Sequence, residues 1–264
     1  MTKLPKVQLI YFKLRALAEA PQMMMHYANV PYTYEMAWDF YGKPWPEAKP
    51  EVAFGQLPVL VVDGHTHIWQ SGAITRYVAT LTGTMPNDPL LAAQVDSVFD
   101  STQELFPPLN PTVNVTAGDV HEQRKQTFLD SFPATLKNFA RQLERTEDGP
   151  FFFGAKPYYC DFSAYHHFSL AQMLKANILD PHASVLNFMA AVESLPGVSE
   201  YLASRPELID VGTGPKLVIN GAGSPGQQVW MGSLPRSTSA SSIMTSWQGA
   251  FFTTLAGILR MGLN

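Results

Sequence analysis

Apolar and polar positions change their period along this chain, and the change comes at a Gly- and Pro-rich stretch, Gly83 to Pro89. Upstream of it, short apolar runs predict strands. Val7 to Phe12, VQLIYF, is continuous enough for a buried first strand, and Tyr32 to Met36 alternates weakly as a second. Between them Arg15 to Val30 predicts a helix: Leu17, Met24 and Ala28 recur at helical spacing, broadened by Met23, Met25 and Tyr27. An aromatic and proline-rich loop runs from Trp38 to Pro50. Val59 to Val62 then reads as a strand, and Asp63-Gly64 is a strong hairpin signal. The returning strand ends at Gln70-Ser71, where Ser71 is placed to N-cap the helix GAITRYVATL, which closes near Leu81.

Downstream, the pattern is helical only. Pro89 to Phe106 carries Val95, Val98, Phe99, Thr102 and Phe106 on one side, and Pro107, Pro108 and Pro111 interrupt it. His121 to Arg145 is a long amphipathic helix, and Asp161 to Ala176 reads as the most buried. Val185 to Ser194 and Ser199 to Ser204 are shorter. The expected organisation is an α/β domain over residues 1–82, an all-helical domain over 89–210, and an appended segment over 211–264.

Composition narrows the function classes. The 264 residues carry a formal net charge of -4, which gives no basic footprint for nucleic acid. One cysteine, Cys160, rules out an internal disulfide framework and suits a reducing compartment, so a cytoplasmic location is expected. The N-terminus runs directly into a strand, with no leader pattern.

Candidate chemistry gathers around Pro58. A proline at the head of a strand cannot donate to a ladder. A cis bond before it would turn the backbone N–H and C=O of Leu57 outward, where an extended peptide could pair with them as an added strand. Ser71 follows at a helix N-terminus, whose free N–H groups and dipole favour a carboxylate. These features suit a small peptide with a free carboxylate end.

This passage has x-P-V-L, then D-G, then Q-S-x-A-I-x-R-Y, and it resembles the glutathione-binding half of the cytosolic glutathione transferases. Strand, helix, strand, hairpin and helix is their thioredoxin-like order, and the helical part completes the layout over about residues 5–210. Near the N-terminus Tyr11 and Phe12, followed by Arg15, Ala18 and Glu19, are similar to the sigma class, which includes haematopoietic prostaglandin D synthases and S-crystallins. The resemblance implies an α/β plus all-α fold and conjugation of the thiolate of glutathione, a co-substrate, to a small apolar electrophile. Isomerisation of a peroxide is a narrower variant that no residue here selects. The resemblance gives Tyr11 the role of stabilising the thiolate. It sets Trp45 and Lys49 at the glycine carboxylate, with Trp38 as a rival for the tryptophan. Gln56, Leu57 and Pro58 lie along the tripeptide, and Gln70 and Ser71 hold the γ-glutamyl end. Asp100 crosses from the other subunit of a homodimer to the glutathione amine, with Asp96 one turn earlier.

Two departures stand out. Leu17 occupies the place of an arginine that sigma-like enzymes often use near the thiol. Tyr158 precedes Asp161 where the family often has the Ser or Thr of a capping box, so one half of that box is missing. His65-x-His67 lacks further metal ligands, and no metal is expected. Of His166-His167, one ring is expected to be packed and one exposed. Cys160, flanked by aromatics, reads as a core residue. Residues 212–242 are rich in Gly, Ser and Pro and read as extended or unstructured. Ile243 to Leu263 is apolar, with a stripe of Met244, Trp247, Phe251, Leu255 and Ile258. A helix docked on protein, an unstructured tail and a membrane contact all stay open for it. The tail and Leu17 together motivate an alternative function: a non-catalytic transferase-like subunit, docked into a larger, membrane-associated complex.

Overall fold

Strand β1 (Val7–Tyr11) is built to be covered on both faces, and the sheet forms around it. A computed structural model describes residues 4–206, 216–219 and 222–225 of the chain. The order continues with α1 (Glu19–Tyr27), β2 (Tyr32–Met36), α2 (Ala37–Phe40), α3 (Trp45–Ala48) and two 3₁₀ turns, Lys49–Glu51 and Ala53–Gly55. The hairpin β3 (Val59–Val62) and β4 (Thr66–Trp69) and helix α4 (Ser71–Thr82) complete the first layer. The helical layer holds α5 (Pro89–Gln103), α6 (Phe106–Asn114), α7 (Gly118–Leu143), α8 (Tyr159–Leu174), α9 (Ala183–Glu193) and α10 (Val198–Ser204). The sheet order is β2-β1-β3-β4, with β1 parallel to β2 and antiparallel to β3. Val7, Leu9, Tyr11, Leu60 and Val62 join a core that runs on into the helical layer. Ile10, Val59 and Val61, at the alternate positions, join a smaller core with Ala37, Val52 and Trp45.

The strands fall close to the sequence reading, and the helix ends depart from it for local reasons. Helix α1 starts at Glu19, not Arg15, because Pro21 is tolerated only in a first turn, where its missing N–H costs nothing. It ends in a Schellman motif: Asn29 takes φ 51, and the N–H groups of Asn29 and Val30 bond the carbonyls of His26 and Met25 at 3.1 and 2.8 Å. Ser71 is the first residue of α4, not its N-cap; Gln70 caps it, at φ 71. The run Pro89 to Phe106 is two elements, since Pro107 and Pro108 fit the first turn of a new helix, α6. Pro111 inside α6 offers no N–H to the Pro107 carbonyl, and Arg124 donates to that oxygen at 3.2 Å instead. Asp161 keeps its half of the cap on α8, accepting from the N–H of Tyr158 at 2.7 Å and of Phe152 at 3.0 Å. The Asp161 N–H, which a Ser or Thr would take, bonds the Tyr158 carbonyl at 2.9 Å.

The expectation for the histidine pair is corrected. Both His166 and His167 are buried, because α8 is surrounded on nearly every side. Cys160 is buried too, and burial raises its thiol well above the ordinary range. After α10 the segments Lys216–Ile219 and Ala222–Pro225 pair antiparallel, β5 with β6, inside the stretch read as extended or unstructured. The proposals for residues 243–263 lie outside the described residues. Among the described residues no helix is long and apolar enough to cross a membrane.

The last helix is tied to the first. Glu19, 2% exposed, accepts from Arg205 at 2.6 Å and from the Tyr201 hydroxyl at 3.0 Å. His26 stacks on Tyr201 at 4.5 Å. A Cβ at Gly197, φ 77, would stand 2.2 Å from the His26 carbonyl oxygen, so only glycine allows this approach.

Two predictions follow from buried charge. Glu19→Gln keeps the shape but leaves Arg205 uncompensated, and urea unfolding should register a loss of about 3–5 kcal/mol. Burial lowers His166 well below 6.5 and His167 to about 4, so the unfolded chain binds more protons than the folded one between those values. Their contribution is fully present above pH 6.5 and is lost as pH falls toward about 4. Asp161, raised by burial from 3.8 to about 7, contributes with the opposite slope, stabilising below 3.8 and losing that as pH rises to about 7. Two histidines outweigh one carboxyl, so the melting temperature should rise between pH 4.5 and 6.5, and the double variant H166L/H167L should flatten the rise; a flat wild-type profile would contradict it.

Candidate active site

Sheet register aligns three of the expected residues. Ile10 pairs with Val59, and Val59 with Trp69. One step further along, Tyr11, Pro58 and Gln70 come to the same end of three adjacent strands. At the usual strand spacing that row spans roughly 10 Å, a fitting width for a short extended peptide.

Tyr11 is the buried member, 5% exposed, on the helix-covered face of the sheet. Burial pushes its phenol far above the ordinary tyrosine range, and the Leu17 N–H facing the oxygen opposes that shift. The hydroxyl therefore keeps its proton and serves as a donor. Phe12 links it to the loop: its ring lies 5.8 Å from Tyr11 and 5.4 Å, edge-on, from Trp45 of α3. Trp38 makes no such ring contact, so Trp45 is the tryptophan on this side. The Phe12 carbonyl accepts from the Tyr34 hydroxyl, which holds the strand end in place. Lys49 is exposed, and its stem packs at Gly55, where a Cβ would lie 3.4 Å from Lys49 Cε.

The rim on the hairpin side follows. Leu57-Pro58 is a cis peptide bond. The N–H and C=O of Leu57 make no hydrogen bond to the described residues, which leaves both to a ligand. Gln56 is exposed, and its Oε1 accepts from Gln70 Nε2 at 3.3 Å. The first intrahelical bond of α4 runs from Ile74 N–H to the Gln70 carbonyl at 3.0 Å, so the N–H groups of Ser71, Gly72 and Ala73 are free of helix partners. An anion is favoured there.

Asp100 is not brought to this group. Its carboxylate pairs with Arg76 of α4 at 3.0 Å, and the same guanidinium holds Asp96 at 2.6 Å. Tyr159 donates to Asp96 at 2.7 Å, and Arg76 lies over the Phe99 ring at 5.0 Å. Sequence reading gave Arg76 no role, although Asp96 and Asp100, four apart on one helix, marked a place for a cation. It also missed the loop before Leu57. Phe54, at φ 63 and 71% exposed, and Gly55, at φ 56, turn the chain into the cis bond, and no residue pattern announces a left-handed phenylalanine. Among the described residues no group of three His, Cys, Asp or Glu could hold a metal.

Residues 7–80 match the family model for the glutathione S-transferase N-terminal domain, and residues 110–205 match that for the C-terminal domain. The chain is 31% identical over 207 residues to hematopoietic prostaglandin D synthase of Gallus gallus, taking in 77% of this chain and 98% of that protein. It is 30% identical over 204 residues to probable glutathione S-transferase 6 of Caenorhabditis elegans, with 76% and 97% covered. The solved glutathione S-transferase of Ascaris lumbricoides superposes with a TM-score of 0.66 at 27% identity, covering 77% of this chain and 98% of that one. Rat hPGDS complexed with a quinoline superposes at 0.67 and 26%, covering 77% and 98%. Sheet layer and helical layer are both matched, and relatives at 30% and 31% identity are covered over nearly their whole length: this chain belongs to the glutathione S-transferase family of enzymes.

Proposed function

We propose that the enzyme conjugates the glutathione thiolate to a small apolar electrophile, with the Tyr11 hydroxyl donating a hydrogen bond to the sulfur. The observation that carries this reading is a buried, protonated phenol at the strand end that register aligns with Leu57-Pro58 and Gln70. A free thiol of the cysteine type has a pKa of about 8.5, and lowering it by about two units needs about 2.7 kcal/mol. One hydrogen bond to a charged group is worth about 1.5–3 kcal/mol. A single donor is therefore sufficient, which matters because Leu17 brings no charge to the thiol. The Leu17 N–H that faces the phenol oxygen polarises Tyr11 toward donation.

In this reading residues 1–82 bind glutathione and residues 89–210 supply the electrophile side. The open N–H and C=O of Leu57 pair with the middle of the tripeptide as an added strand. Gln56, Gln70, Ser71 and the N-terminus of α4 hold the γ-glutamyl carboxylate, and Trp45 and Lys49 hold the glycine carboxylate. The enzyme works as a homodimer in the cytoplasm, and a carboxylate of α5 reaches the glutathione amine of the other subunit. Asp100 is the acid assigned to that role. Arg76 competes for it, and Glu104, one turn on along the same face, makes no ion pair with the described residues.

Calorimetric titration with glutathione, beside turnover of a generic chloronitroarene, tests the reading. Tyr11→Phe should bind glutathione nearly as well as wild type while turnover falls about 10- to 100-fold. The pKa of the bound thiol should rise by about two units. No glutathione binding by wild type, or undiminished turnover in the variant, would defeat it. Asp100→Asn should weaken glutathione binding several-fold; if Asp100→Asn leaves binding unchanged and Glu104→Gln weakens it, the role lies one turn further along α5.

A further inference from the structure

Beneath Leu17, where α1, α4, α5 and α8 meet, the helices line a partly open cavity with room of about 10 Å³. Leu17, Phe99, Gln103, Ser163, His166 and His167 are among its lining residues. The volume is that of one water molecule. None of the residues proposed to hold the tripeptide lines it.

The hydrogen bonds around the cavity can be followed proton by proton. Thr102 donates its hydroxyl to the Phe99 carbonyl at 2.6 Å, so at its 2.6 Å contact with Ser163 the Ser163 hydroxyl is the donor. Gln103 Nε2 donates to Ser163 Oγ at 2.9 Å and to Thr102 Oγ1 at 3.2 Å, leaving Gln103 Oε1 as an acceptor with no donor. His167 Nδ1 lies 2.8 Å from the Ser163 carbonyl, which can only accept. That nitrogen therefore carries the ring proton, and Nε2 is a bare lone pair. His167 Nε2 and both nitrogens of His166 are buried without a partner. The charged groups that bear on His166 are Arg15 and Arg205, and with His167 they all oppose a positive charge on its ring. A neutral His166 presents one N–H and one lone pair.

The lining thus has spent its donors. It offers two buried acceptors without a donor, His167 Nε2 and one nitrogen of His166, with Gln103 Oε1 at its half-buried rim, against the one N–H of His166. An anion or a bare carbonyl finds too few donors there. A guest oxygen that donates two protons and accepts one fits. Each unsatisfied buried group costs about 1–3 kcal/mol, so filling the cavity relieves several such penalties at once.

We propose that this cavity is a binding site for a single hydrogen-bond-donating oxygen, occupied by a water molecule in the free enzyme. The water bridges α5 and α8 and donates to the Nε2 lone pair that the Nδ1–H tautomer leaves on His167. The inference is independent of any role for Tyr11.

A high-resolution crystal structure of the unliganded enzyme should place an oxygen about 2.7–3.2 Å from His167 Nε2 and Gln103 Oε1. In solution, ¹⁵N-imidazole spectra should give His167 as the Nδ1–H tautomer with a hydrogen-bonded Nε2, and a water cross-peak should reach its ring. His167→Phe, which fills the space and removes the acceptor, should abolish the cross-peak. Should that variant fail to fold, Gln103→Met provides the same readout, with the cross-peak weakened or lost. An empty cavity in the density, or an Nε2 resonance of an unbonded lone pair with no water contact, would overturn the proposal.

Discussion

The double burial of β1 is the constraint on which the rest of the structure depends. Alternate residues of one strand must satisfy two cores: Leu9 and Tyr11 the helical side, Ile10 the side of the short helices. Because the side-chain period of a strand is two, a slip of one residue would exchange the cores and turn Tyr11 away from the helices. The apolar neighbours thus fix the direction of the Tyr11 hydroxyl. The same register that buries Ile10 against Val59 also carries Pro58 and Gln70 to the end of the sheet where Tyr11 stands. Stability and site geometry are consequences of one pairing.

Charge inside the molecule is arranged in closed groups. Glu19, Arg205 and Tyr201 form one, between the first helix and the last. Arg76, Asp96, Asp100 and Tyr159 form another, between α4, α5 and α8. In both, a carboxylate is shared between a guanidinium and a phenol, so its lone pairs are filled from two elements. Such groups hold orientation more than they add stability, since desolvation offsets much of their attraction. The rim around the cis bond is different: Leu57, Gln56, Lys49 and the first turn of α4 retain hydrogen-bonding capacity that the other described residues leave unused.

Much of this was legible in the sequence because it depends on local chemistry. The strands, the Asp63-Gly64 turn and the proline at the head of β3 each have a residue type that requires them, and Asp63 and Gly64 do take φ 52 and 77. Tyr11 was singled out by the resemblance of Tyr11-Phe12, Arg15, Ala18 and Glu19 to the sigma class, and the register places it in line with Pro58 and Gln70. What escaped depends on packing between distant segments. The start of α1 was misread because helical periodicity continues upstream of Pro21, and the periodicity does not register a missing N–H. Both rings of His166-His167 went inside because α8 has neighbours all round, which a two-sided helix pattern does not reveal. The pairing of Arg76 with Asp96 and Asp100 joins residues 20 and 24 apart, and only the crossing of α4 and α5 brings them together.

The tie between α10 and α1 has a practical consequence for anyone attaching something to this enzyme. Arg15 donates to the carbonyl of Pro206, so the chain leaves α10 within bonding reach of a residue four positions from Tyr11. A fluorophore placed at Pro206 would therefore report on the segment that carries Tyr11, although 195 positions separate Tyr11 from Pro206. A bulky fusion begun at that point would crowd the segment that carries Tyr11, whereas one begun in the turn at Asp63-Gly64 leaves from the opposite end of the sheet.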